Sequence, residues 1–232
     1  MNFENVNWHY FPLKLWSVKK RIKSSFDLYK GKPKGQIILT LWKKLEKHQK
    51  DAQKIGINQA IIVGADSDVL GERVIFFNNG ITPLKVDSFS ITAELFKKIS
   101  EGQYPNLVFL FVTNKPNRIA ERIPNTWLSK MPVNVFWGVS GKSTSDIASK
   151  LASFPIGIEN RFIFIKPDYI NVDLELLLAP TPQIKLVIQG CEFESRNQVV
   201  VLDAHKKIKM VAEKSKITHH FKYDYLFDES NE

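Results

Sequence analysis

From residue 58 onward the chain repeats one pattern: a short, nearly unbroken apolar run followed by amphipathic sequence. The runs fall at 59–64, 107–113, 133–139, 161–166, 184–190 and 218–222, separated by about 20 to 43 residues. They lack the polar/apolar alternation of a half-exposed strand. Strands covered on both faces read this way, as in a parallel sheet. The intervals leave room for a crossover helix each time. Three intervals carry helix signals. Ser143-Thr144-Ser145-Asp146 is a capping pattern followed by Ile147, Ala148, Leu151 and Ala152 on one face. Ile91, Leu95 and Ile99 line another helix that ends near Gly102. Val199, Leu202, Ile208 and Val211 suit a long helix before the last run. Repeated βα units predict a parallel α/β fold, either a (β/α) barrel or partial barrel or an open doubly wound sheet.

Residues 1–57 read differently and form an expected N-terminal segment packing on a barrel-like domain of residues 58–232. Trp8, Tyr10, Phe11, Leu13 and Trp16 give an aromatic-rich start, and residues 31–35 (Gly-Lys-Pro-Lys-Gly) read as a turn or linker. Ile37, Ile38, Leu41, Trp42 and Leu45 then begin a basic amphipathic helix reaching to about Lys54. Charge concentrates here. Of 33 basic and 24 acidic residues in the chain, 13 bases and 3 acids lie between Lys14 and Lys54, so this segment carries the whole excess of +9. A clustered basic face attracts polyanions with salt-sensitive affinity. Lys19, Lys20, Arg21 and Lys23, interleaved with Trp16 and Phe26, together with Lys30, Lys32 and Lys34, are the candidates for contact with DNA or RNA.

A chain of 232 residues with one cysteine, Cys191, can form no internal disulfide, and cysteine metal sites need two to four thiolates. A chain this long buries roughly 70% of its unfolded surface and needs no such staple. The first residues show neither the basic start nor the apolar run of a secretory signal, and no stretch reaches the ~18 apolar residues of a membrane span. The expectation is a soluble, cytoplasmic protein with no membrane partner. No G-x-G-x-x-G, Walker loop, G-x-S-x-G or H-E-x-x-H occurs.

In a parallel α/β protein, function collects at the carboxyl ends of the strands. That rule selects Asp66 and Asp68 after the first run, Thr113, Asn114, Lys115 and Arg118 after the second, then Ser140 and Lys142, Lys166 and Asp168, and Glu192 and Glu194. Polar strand-to-helix loops also serve as helix caps, so the same residues have a structural reading. His219 and His220 are adjacent on a strand, so their rings point to opposite faces and cannot chelate one metal together. No metal site is expected.

These strand ends resemble those of a phage- and plasmid-borne family of radical-SAM-like proteins, mostly of unknown function. In that family a strand ending in L-T-K-x-P-x-R precedes W-x-G-V-S, then F-x-x-I-E-P-L, then V-I-x-G-G-E-S. Here Thr113-Asn114-Lys115-Pro116-Asn117-Arg118, Trp137-Gly138-Val139-Ser140, Phe162-Ile163-Phe164-Ile165-Lys166-Pro167 and Val187-Ile188-Gln189-Gly190-Cys191-Glu192 stand in the same order. Asp68 matches an aspartate of the family's cysteine-serine-x-x-aspartate strand. The resemblance spans roughly residues 58 to 222 and implies a complete or partial (β/α) barrel. It departs at the centre of the family's chemistry. The three cysteines that ligate a [4Fe–4S] cluster have no counterpart, and such a cluster needs thiolates. The family's I-E-P glutamate is Lys166, and its G-G-E is Gly190-Cys191-Glu192. No iron–sulfur cluster is expected, and S-adenosylmethionine would lack a principal anchor.

Three functions follow from this reading. The first is a cluster-free, non-catalytic relative that binds nucleic acid or works within a mobile-element or defence complex. The second is a scaffold or inhibitor that presents its aromatic N-terminal segment to another protein. The third is a metal-dependent phosphodiesterase or nuclease with a rebuilt barrel-mouth site of Asp66, Asp68, Glu192 and Lys166, in which carboxylates hold a cation and a lysine faces phosphate.

Overall fold

A computed structural model describes residues 6–10, 34–64, 68–71, 73, 75–78, 82–141, 143–165, 172–192 and 198–224. The strands are β1 (Val6–Tyr10), β2 (Asn58–Val63), β3 (Ile75–Asn78), β4 (Thr82–Asp87), β5 (Leu107–Thr113), β6 (Val135–Val139), β7 (Arg161–Ile165), β8 (Ile184–Glu192) and β9 (Thr218–Asp224). The helices are α1 (Lys34–Ile55), α2 (Ser88–Ser100), α3 (Ile119–Arg122), α4 (Asn125–Ser129), α5 (Thr144–Ala152), α6 (Leu174–Leu178) and α7 (Gln198–Lys214). β3 and β4 form a separate antiparallel hairpin. The other seven strands follow the order β1-β2-β5-β6-β7-β8-β9. This order keeps chain sequence without reversing, whereas a doubly wound sheet reverses at a switch point. The fold is α/β, and the strands of this order whose register is given pair in parallel.

The chain divides into two compact units, Met1–Phe136 and Trp137–Glu232, with the boundary inside β6. In the first, β2 pairs in parallel with both β1 and β5. β1 was expected only as an aromatic segment. Val6, Trp8 and Tyr10 alternate in sequence with Asn7 and His9, and β1 stands at the end of the strand order. All seven residues of β5 are buried. Fully burying each large apolar side chain of such a strand contributes about 1.5–3 kcal/mol. Around β5, the Phe96 and Phe111 rings lie edge to face at 5.4 Å, and Trp127 lies 5.0 Å from Phe96. The Trp127 indole N–H donates to Ser100 Oγ at 2.8 Å, which satisfies the one polar atom that this buried ring carries.

β6 begins two residues later than the apolar run at 133–139. Val133 is exposed, and Asn134 turns inward instead, its Nδ2 donating to the carbonyls of Leu107 and Tyr104 while its own carbonyl accepts from Phe109 N–H. In the second unit β6, β7, β8 and β9 pair in parallel in that order. Ser143 caps α5 by accepting from Asp146 N–H, and Ile147 and Leu151 form its buried face. Among the described residues no helix is long and apolar enough to cross a membrane.

Gly138, in the Trp-Gly-Val-Ser stretch, has a packing role. A Cβ there would sit 2.4–2.5 Å from three ring atoms of Phe162 on the neighbouring strand. The expected result of Gly138→Ala is a loss of about 1–3 kcal/mol of stability, as for other overpacked cores. Adding Phe162→Leu should restore part of that loss, and urea midpoints of the two variants measure both effects.

Candidate functional site

In the first unit the sequence-selected residues Asp68, Thr113, Asn114, Lys115 and Arg118 come together beyond the end of β5. The Thr113 hydroxyl, fully buried, donates to Asp68 Oδ1 at 2.7 Å. The same oxygen accepts from Leu70 N–H at 2.9 Å, and Asp68 Oδ2 accepts from Asn114 N–H at 3.1 Å. Lys115 N–H donates back to Thr113 Oγ1 at 3.0 Å, and Arg118 Nη1 donates to the Leu70 carbonyl at 3.3 Å. Thus the loop after β2 is tied to the loop after β5. Three donors occupy most of the roughly four acceptor positions of the Asp68 carboxylate. This is the geometry of a bracket between loops, with the Asn114 and Lys115 side chains left at the surface.

In the second unit Ser140 is buried at the end of β6, and its carbonyl accepts from Lys150 Nζ at 2.7 Å. Lys150 also pairs with Asp146 at 3.0 Å, one turn earlier on α5. A Cβ on Gly141 would stand 2.7 Å from Ile147 Cγ1 and 2.8 Å from Asp146 Oδ2, so the loop after β6 lies directly on the first turn of α5. Asp66, Lys142, Lys166, Asp168 and Glu194 lie outside the described residues, as do Lys19, Lys20, Arg21, Lys23, Lys30 and Lys32. Glu192 closes β8 and Lys34 opens α1, but their side chains are outside the described part. Among the described residues no group of three His, Cys, Asp or Glu is placed to hold a metal ion. The thiolates of an iron–sulfur centre are missing from the chain, since Cys191 is its one cysteine.

The structure also shows a cluster that the sequence reading did not find. Gln189 of β8 is buried, and its Oε1 faces His205 Nδ1 of α7 at 3.4 Å and His219 Nε2 of β9 at 3.3 Å. The two rings lie 5.2 Å apart. Burial pushes the His219 imidazole down to about 4, helped by the neighbouring His205 and Lys209 charges. His205 is lowered by burial and then by Lys209. Burial thus favours the neutral form of both rings, and a neutral imidazole protonated on the facing nitrogen donates to the amide oxygen.

Five exposed lysines of the first unit lie on α1. Trp42, Leu45, Gln49 and Ala52 form its buried face. Gln49 Nε2 donates to Asn106 Oδ1 at 2.9 Å, and Asn106 N–H returns a bond to Gln49 Oε1 at 3.1 Å. His48 Nδ1 faces Gln59 Oε1 on β2 at 3.1 Å. These contacts fix the helix about its own axis. Lys43, Lys47, Lys50 and Lys54, at spacings of 4, 3 and 4 residues, then fall on one line facing solvent, with Lys44 exposed beside it. Compared with protein-family models, curated proteins and solved structures, the chain matches none.

Two outcomes test these arrangements. Asp68→Asn replaces an acceptor oxygen with a donor facing backbone N–H groups, and should cost about 1–3 kcal/mol of stability. Thr113→Val should cost a similar amount, and the double variant less than the sum, which a double-mutant cycle on denaturant midpoints will show. A site kept free for a ligand would instead tolerate Asp68→Asn without loss of stability. For His219 the folded chain disfavours the charged ring, so the unfolded chain takes up the proton first. Its contribution to stability is full above about pH 6.5 and is lost as pH falls towards 4. His219→Gln should flatten the stability difference across that window, measured as urea midpoint against pH.

Proposed function

We propose that this protein is a nucleic-acid-binding protein built on a parallel α/β scaffold, a cluster-free and non-catalytic relative of radical-SAM-like proteins. The scaffold is read as a partial (β/α) barrel because strand order follows chain order. The observation that carries the binding function is the line of exposed lysines on α1, held outward by the Gln49–Asn106 amide pair. It lies in the same segment, Lys14 to Lys54, that holds the whole excess of positive charge. Lysine ammonium groups on a solvent-facing line contact phosphates and release counterions, which supplies affinity without base recognition. The bracketed strand-end carboxylate Asp68 fits a scaffold role better than a metal-holding one. S-adenosylmethionine has no part in this function, and cytoplasmic location and a mobile-element or defence setting remain part of the proposal.

The full chain should bind labelled DNA or RNA in fluorescence anisotropy with an affinity that falls steeply as salt rises. Replacing Lys19, Lys20, Arg21 and Lys23 with alanine should weaken binding and flatten that dependence, by about one unit of log–log slope for each phosphate no longer neutralised. Absence of salt-dependent binding by the unmutated protein would overturn the proposal.

A further inference from the structure

Resting on that reading, we infer that the α1 lysine line is a contact for the sugar–phosphate backbone of a double helix, made without sequence preference. Four observations lead there. First, at 1.5 Å rise per residue, Lys43 to Lys54 spans about 16 Å along the helix, about five phosphate spacings of one strand along the duplex axis at roughly 3.4 Å each. Second, every cation on the line is a lysine. An ammonium is a compact, strongly hydrated point charge that contacts phosphate, and the line carries no guanidinium fork to fix the register of a base-edge contact.

Third, the helix offers no aromatic platform. Its one Phe, Tyr or Trp residue, Trp42, is buried, and Lys98 Nζ lies 5.4 Å from its ring centroid. Proteins that hold single strands stack bases on exposed aromatic rings. A surface of charge alone gains most from the polyanion of highest charge density, and per phosphate contacted B-form duplex releases more counterion than a single strand. Fourth, the acids flanking the line leave it cationic. Glu46 is exposed on one side and Asp51 half-buried on the other, and neither forms an ion pair with these lysines among the described residues.

The test compares three full-length variants with the unmutated protein on matched duplex DNA, duplex RNA and single strands of scrambled sequence. The first variant carries Lys43, Lys47, Lys50 and Lys54→Gln, the second the same four positions →Arg. The third carries Lys130, Lys185, Lys206 and Lys207→Gln, an equal loss of exposed charge elsewhere. The expected result is a fall of about 4 units in the log–log salt slope on duplex for the first variant. The second should keep binding, the third should change the slope by less than one unit, and scrambling the sequence should have no effect. Unchanged urea midpoints establish that each variant folds. Binding to duplex DNA, duplex RNA or both supports the inference. Tighter binding to single strands, or equal slope losses in the first and third variants, would overturn it while leaving nucleic-acid binding in place. Absence of binding by the unmutated chain would remove both.

Discussion

The first unit depends on burying β5 from end to end. A seven-residue strand with no exposed side chain has to be covered on both faces and flanked at both edges, and this sets what lies around it. β2 flanks it in parallel register from Gln59↔Leu107 to Val63↔Phe111, and α2 places Phe96 against Phe111. The strand's two ends are then closed by polar groups. At the amino end Asn106 and Asn134 are bonded to Gln49 and to backbone carbonyls, and at the carboxyl end Thr113 is bonded to Asp68. A buried polar group without a partner costs about 1–3 kcal/mol, so each of these closures is a stability requirement before it is anything else.

This explains why the surface, not the strand ends, carries the binding function in our reading. Asp68, Thr113 and Ser140 stand where many α/β proteins keep ligand-binding groups, yet each makes intramolecular bonds that hold one loop to another or to the following helix. Helix α1 has the opposite division of labour. One face supplies Trp42, Leu45, Ala52 and the amide of Gln49 to the core, which leaves its lysines with solvent as their surroundings. The helix is fixed by reciprocal amide bonds, so the cations are presented along a defined line. A fixed line of charge loses less conformational freedom on binding than a flexible basic tail would.

Much of the fold was legible in the sequence because burial on both faces leaves a simple mark. Runs such as 107–113 and 161–166 are apolar at nearly every position, and both became parallel strands with bounds shifted by no more than one residue. β1 was missed because five alternating residues in an aromatic-rich stretch carry little signal without a partner strand. The β3–β4 hairpin was missed for a similar reason, with Pro83 inside β4 arguing against a strand. At the strand ends, sequence position identified Asp68 and Thr113 but not that they bond to each other across 45 residues. The Gln49–Asn106 pair and the Gln189–His205–His219 cluster were hidden for the same reason. Their members are 57, 16 and 30 residues apart, and no local pattern announces a partner at that distance.

The central claim is that α1 meets nucleic acid through its outward face while its inward face stays in the core. Amide hydrogen exchange of the full chain, with and without a short duplex, tests it most directly. The account predicts added protection at the α1 backbone, with β5 and the Asp68–Thr113 bracket unchanged. Protection that appears at the strand-end loops and leaves α1 unaltered would contradict it.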